Sequence, residues 1–215
     1  MTGMNGLRGT SRGWISTAGC EGKMFFGQNC SGRFGENRSI ISVVGSKEDV
    51  NFFKLLNELK LRKIKQNLNE KYFEIASKLA VKYSIKVSMV ITQNNQYGEW
   101  RNQVCTYPHW FGKLYGIICK KALEQIRDNK ILLHMDREYD SKTLNFAAGT
   151  ISKLMLIPKE NIYLRQENEY PTNRIIIADL FARGCFKGFD CSQFIALKNP
   201  DIKNEIEEIF RKTRQ

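Results

Sequence analysis

At 215 residues the chain is long enough for one substantial core, and a composition 42% hydrophobic and 26% charged is that of an ordinary globular domain. Thirty-four Lys and Arg against 22 Asp and Glu leave a net charge of +12, which favours phosphate backbones or an acidic partner. No apolar run approaches the roughly eighteen residues of a membrane span, and Met1 to Gly13 lacks a signal peptide's apolar stretch, so no membrane partner and a cytoplasmic location are expected.

The six cysteines, at positions 20, 30, 105, 119, 185 and 191, form no CxxC pair, and there are only two histidines. No zinc is expected on that basis, and the thiols are read as reduced.

Residues 1–38 hold nine of the 16 glycines with many Ser, Asn and Arg, and read as a loop-rich N-terminal segment with short first strands at Gly13 to Gly19 and Lys23 to Phe26. Neither a P-loop nor a dinucleotide-binding glycine pattern is present. Ser39 to Gly45 is β-branched and closed by glycine, a better strand. Ser46 then reads as the cap of a helix whose stripe is Phe52, Phe53, Leu55, Leu56 and Leu59. A second helix starts near Asn69, and Ser84 to Thr92 alternates as a strand. Tyr97, Trp100, Tyr107 and Trp110 read either as core or as a surface that stacks bases. Pro108 suits the first turn of a helix that runs to Ile126.

Lys130 to Met135 is an apolar run bounded by turn signals, the pattern of a strand buried on both faces, and it ends in Asp136. Open sheets bind ligands at the carboxyl ends of such strands, and the period of two puts His134 on the face of Asp136 with Met135 opposite. A cap at Asp140 or Ser141 opens a helix to about Leu156, in which Ala147-Ala148-Gly149 would allow a close approach. Asn161 to Arg165 follows as a strand. Arg174 to Arg183 reads as a helix stopped by Gly184, and Asp190 to Arg214 as a last, basic helix. Strands first, then strands alternating with helices, define a mixed α/β sheet. The expected division is a glycine-rich segment over 1–38, an α/β core over 39–189 and a basic C-terminal helix over 190–215.

Within that core, Ile175 to Ala182 is strongly apolar apart from Asp179. A buried carboxylate is costly unless paired, so Asp179 needs an Arg, another hydrogen-bond donor or a metal.

Strand-borne Asp136, then a helix, a strand with acids after it, and a helix reading Ile177-Ala178-Asp179-Leu180 resemble the RNase H-like proteins of the "domain of unknown function 3800" family, over residues 14–188. The resemblance implies an RNase H-like mixed sheet flanked by helices, with Asp136 in the middle-strand position, Asp179 in the helix position, and Glu167 or Glu169 as the acid after the last strand. It further implies Mg²⁺ or Mn²⁺ on Asp136, Asp179, Glu167 and Glu169, with Asp136, Asp179 and Glu169 catalytic in phosphodiester hydrolysis. Arg137, Lys142, Arg165 and Arg174 are the candidate contacts to nucleic acid. The family opens on a strand reading Asp-Glu-Ser-Gly. If Ile15 to Gly19 takes that place, Ser16 and Thr17 stand where its acids would be, with Glu21 two residues beyond. Two functions follow from this departure: a metal-dependent nuclease, or a catalytically inactive nucleic-acid-binding or assembly subunit with protein partners in a nucleoprotein complex.

Overall fold

The computed structural model describes residues 23–31, 38–60, 68–93, 107–126, 130–137, 140–166 and 168–201, together with 204, 207 and 211. The chain runs β1 (Lys23–Ser31), β2 (Ser39–Ser46), α1 (Val50–Leu59), α2 (Glu70–Lys82), β3 (Lys86–Thr92), α3 (Tyr107–Ile126), β4 (Lys130–Met135), α4 (Ser141–Met155), β5 (Ile162–Leu164), α5 (Asn173–Phe186) and β6 (Ile195–Lys198). The strands form one six-stranded sheet in the order β5-β4-β1-β2-β3-β6. The β1/β2 and β2/β3 pairs are antiparallel, whereas β1/β4, β4/β5 and β3/β6 are parallel. The expected mixed α/β sheet is therefore present. No helix among the described residues is long and apolar enough to cross a membrane.

Alternation along the inner strands divides the core into two layers. Met24 and Phe26 of β1, Ile41 and Val43 of β2 and Leu133 and Met135 of β4 pack under α3 and α4. Their neighbours Phe25, Ile40, Val44 and Leu132 pack under α1, α2 and α5. Burial on both faces is why β4 reads as an unbroken apolar run. It also puts His134 and Asp136 on the α5 side.

Several boundaries differ from the sequence-based expectations. The strand beside β4 is Lys23–Ser31, longer than the four residues expected and lying inside the glycine-rich segment. The segment Ile15 to Gly19, expected beside Asp136, lies outside the described residues, and among those described it is β1 that pairs with β4 and supplies the neighbour of Asp136. Ser46 does not cap α1: its hydroxyl accepts from the Glu48 amide at 3.3 Å and from Asn51 at 3.1 Å, and Asp49 immediately precedes the helix. Asn69 and Asp140 do cap α2 and α4, their side chains accepting from Tyr72 N and from Lys142 N and Thr143 N respectively.

Gly184 does not stop α5, which continues to Phe186, and the turn comes at Gly188 with φ +89°. A Cβ on Gly184 would lie 2.2 Å from the Phe73 ring, so this glycine serves the packing of α5 on α2. Gly149 likewise does not make the close approach expected of it. Nothing lies within 4 Å of its Cβ position, whereas Gly116 of α3 packs against Ala147 and Thr150. Where the expected helix would begin, at Asp190, the chain instead forms a short 3₁₀ turn, Ser192–Phe194, and β6, which extends the sheet beside β3, while the described residues 204, 207 and 211 beyond it are helical as expected.

Candidate functional site

The carboxyl end of β4 positions the first acid. The ladder with β1 continues one residue past the strand, the Asp136 amide donating to Gln28 O at 3.2 Å. Parallel register then sets Asn29 beside Asp136, and the Asn29 amide donates to Asp136 Oδ2 at 3.1 Å. Asp136 Oδ1 accepts from the Arg137 amide at 2.9 Å and from Arg165 Nη1 at 2.6 Å. Both oxygens are engaged, in a pair whose side chains are only 24% (Arg165) and 14% (Asp136) exposed.

Arg165 is held in that pose by its own surroundings. Its amide continues the β4/β5 pairing to Met135 O at 3.1 Å, and its Nε donates to Glu169 O at 2.9 Å. The Glu169 carboxylate accepts from the Tyr163 hydroxyl and from the Gln166 amide at 3.2 Å. Burial, followed by the bond to Glu169 and its charge, pushes the Tyr163 phenol up to about 12, so it stays a donor. The turn after β5 is thus closed on itself around Glu169.

Close by, α5 begins directly over β1: a Cβ on Gly27 would lie 2.4 Å from the backbone carbon and Cβ of Arg174. Arg174 is 5% exposed, donates from Nε to Asp49 at 2.5 Å and lies over the Phe25 ring at 4.8 Å. His134, the β4 partner of Gly27, is 6% exposed with Nδ1 3.3 Å from Thr172 Oγ1. Burial, reinforced by the Arg174 charge and only partly opposed by Asp49 and Glu169, holds its imidazole down to about 4. It is neutral at physiological pH.

Further along α5, Asp179 accepts from Arg183 Nε at 2.6 and 2.7 Å through its two oxygens. Spacing of four puts both side chains on one helix face. The cation expected for this buried acid is therefore in its own helix.

Of the candidate residues, the structure joins Asp136 to Arg165 and leaves Asp179 with Arg183. Glu169 is directed to Tyr163 and Gln166, and Glu167 lies outside the described residues, as do Ser16, Thr17 and Glu21. Arg174 is a buried cation whose Nε donates to Asp49, a placement that differs from the surface position expected of a contact to nucleic acid. Lys142 is exposed in the first turn of α4 and Arg137 is half-buried. Asn29, Tyr163, Asp49 and Arg183 were not singled out from sequence. Only Arg183 carried a readable signal, its spacing from Asp179.

No family model matches the sequence, and no curated protein does. Among solved structures, a mutant of Bst-RNase HIII is similar at a TM-score of 0.55 and 16% identity, covering 87% of this chain and 60% of that one, so the chain spans less than two thirds of that protein's length. RNase HII from Archaeoglobus fulgidus, solved in complex with PCNA, is similar at a TM-score of 0.50 and 10% identity over 90% of both chains. These likenesses define the fold as RNase H-like α/β.

The donors described at this edge are not arranged to hold the Mg²⁺ or Mn²⁺ expected from the family resemblance. A hard divalent ion needs several free carboxylate oxygens converging on one point. Here the neighbour of Asp136 on β1 is a carboxamide whose N–H₂ points at it, and Arg165 supplies the positive charge an ion would bring. Asp179 spends its oxygens on Arg183. No group of three or more His, Cys, Asp or Glu among the described residues is placed to hold an ion.

Proposed function

We propose that this protein is a nuclease-derived, RNase H-like protein that binds nucleic acid without cleaving it. The observation that carries the reading is the state of Asp136, whose two oxygens accept from Asn29, Arg137 and Arg165, with no set of carboxylates among the described residues placed to hold a catalytic ion. The similar solved proteins are by name ribonucleases, and a net charge of +12 supports attraction to the same class of polymer. Lys142, exposed at the start of α4, and Arg137, partly buried beside the end of β4, are the candidate contacts.

The test is binding and cleavage of a panel of labelled single- and double-stranded DNA and RNA, with Mg²⁺ or Mn²⁺ and with chelator. Retention of the polymer at low salt without metal-dependent cleavage is expected. Cleavage that Asp136→Asn abolishes would overturn the non-catalytic reading, and no binding at low salt would overturn the nucleic-acid reading.

A further inference from the structure

The turn after α5 brings together two cysteines that carry no recognisable motif in the sequence. Cys185 and Cys191 are 3% and 6% exposed, with their sulfurs 2.6 Å apart. That lies well inside the roughly 3.5–4.0 Å at which unbonded atoms rest and near the ~2.05 Å of a sulfur–sulfur bond. Backbone hydrogen bonds fix both ends of the turn. Gly188 N donates to Cys185 O at 3.1 Å, Phe189 N to Gly184 O at 3.0 Å and Phe194 N to Cys191 O at 2.9 Å. Arg38 adds donors to Cys185 O and Phe186 O at 3.0 and 2.6 Å. Two thiols used only as small apolar side chains would rest further apart. The other described cysteines, Cys30 and Cys119, lie in the core layer on the opposite face of the sheet and do not compete.

We propose that Cys185 and Cys191 are an oxidisable dithiol that closes to an intramolecular disulfide by exchange with a small disulfide oxidant such as oxidised glutathione, tying the end of α5 to the 3₁₀ turn that precedes β6. One cysteine thiolate attacks the oxidant, forming a mixed disulfide and releasing one reduced thiol. The second cysteine then displaces the other half of the oxidant. Two protons and two electrons leave the protein, and the oxidant's single S–S bond becomes two thiols. Burial pushes the Cys185 thiol up to about 12, which keeps its thiolate scarce in the folded chain. Exchange is therefore fast while the turn is open and slow once it has packed.

The chain is reduced, unfolded and refolded in glutathione buffers of graded redox poise, then alkylated and digested with trypsin. Cleavage after Arg183, Lys187 and Lys198 separates the peptides 184–187 and 188–198. The expected result in oxidising buffer is one species joining those two peptides, lighter than their sum by two hydrogens and lost on reduction. The oxidised protein is also expected to melt about 5–10 °C above the reduced one, since the bond closes a loop of a few residues. Two alkylated thiols at 185 and 191 in the most oxidising buffer, a glutathione adduct on either without closure, or linkage of either to another cysteine would each overturn the proposal. The wild-type peptide map decides it whether or not Cys185→Ser and Cys191→Ser variants fold.

Discussion

Arg165 supplies the positive charge beside Asp136 at the end of β4, and removing it exposes how much Asp136 depends on it. Truncation to alanine leaves a poorly exposed carboxylate with only neutral donors, Asn29 and the Arg137 amide. Arg165→Ala is expected to lower the unfolding free energy in urea by about 1–3 kcal/mol. Adding Asp136→Asn should recover part of the loss, because the uncompensated charge is then gone. A cost indistinguishable from zero would mean that the pair does not hold the edge together. His134 supplies a pH dependence of definite sign. Its imidazole has an ordinary value of 6.5 and is held at about 4 in the fold, so between those values the unfolded chain takes a proton that the folded chain refuses. Its contribution is complete above pH 6.5 and is lost as pH falls towards 4, by up to about 3 kcal/mol. Urea titrations above and below that window should show His134→Gln losing less stability than wild type on acidification, and parallel curves would refute the assignment. Asp136 and Asp179 were legible because charge amid apolar runs is conspicuous in sequence. Asn29 was not, since an amide inside a strand carries no such signal and its meaning depends on the β1/β4 register. Arg165 was legible as a cation but not as the partner of Asp136, a contact set by how β5 pairs with β4.

At the scale of helices, two glycines that look alike in sequence make opposite demands. Gly149 in α4 has open space where a Cβ would stand, so Gly149→Ala should raise stability by about 0.5–1 kcal/mol through helix propensity alone. Gly184 in α5 has the Phe73 ring there, and Gly184→Ala should cost about 1–3 kcal/mol as α5 is levered from α2. Thermal melts of the two variants check both signs, and a stabilising Gly184→Ala would show that Phe73 can turn aside. The same contrast explains where boundaries were misread: a glycine that ends a helix and one that admits a neighbour's ring are the same letter. The cap at Asp140 was readable, where the side chain itself bonds the first turn of α4. The last strand was missed because β6 has four residues and is defined by its pairing with β3 rather than by a run of its own.

For the whole molecule, the excess of positive charge predicts how binding responds to salt. Each phosphate neutralised contributes about 0.9 to the slope of log affinity against log salt on duplex DNA, so the slope counts the contacts made. Arg137→Ala or Lys142→Ala should each lower the slope by about one where the residue meets a phosphate. Arg165→Ala, whose charge is already taken by Asp136, should leave it unchanged. The strand-then-helix order made the mixed sheet readable in advance, but the place of β1 at its centre was not, because that position is fixed by a partner far along the chain. This separation has a consequence during synthesis. Strand β1 can pair with β2 as soon as both have emerged, yet its other edge must wait for β4, which begins at Lys130. Roughly 85 residues are added in between, which at typical elongation rates is about 4–17 s. For that interval the nascent chain carries the centre of its sheet as an open edge, able to pair with any other strand nearby.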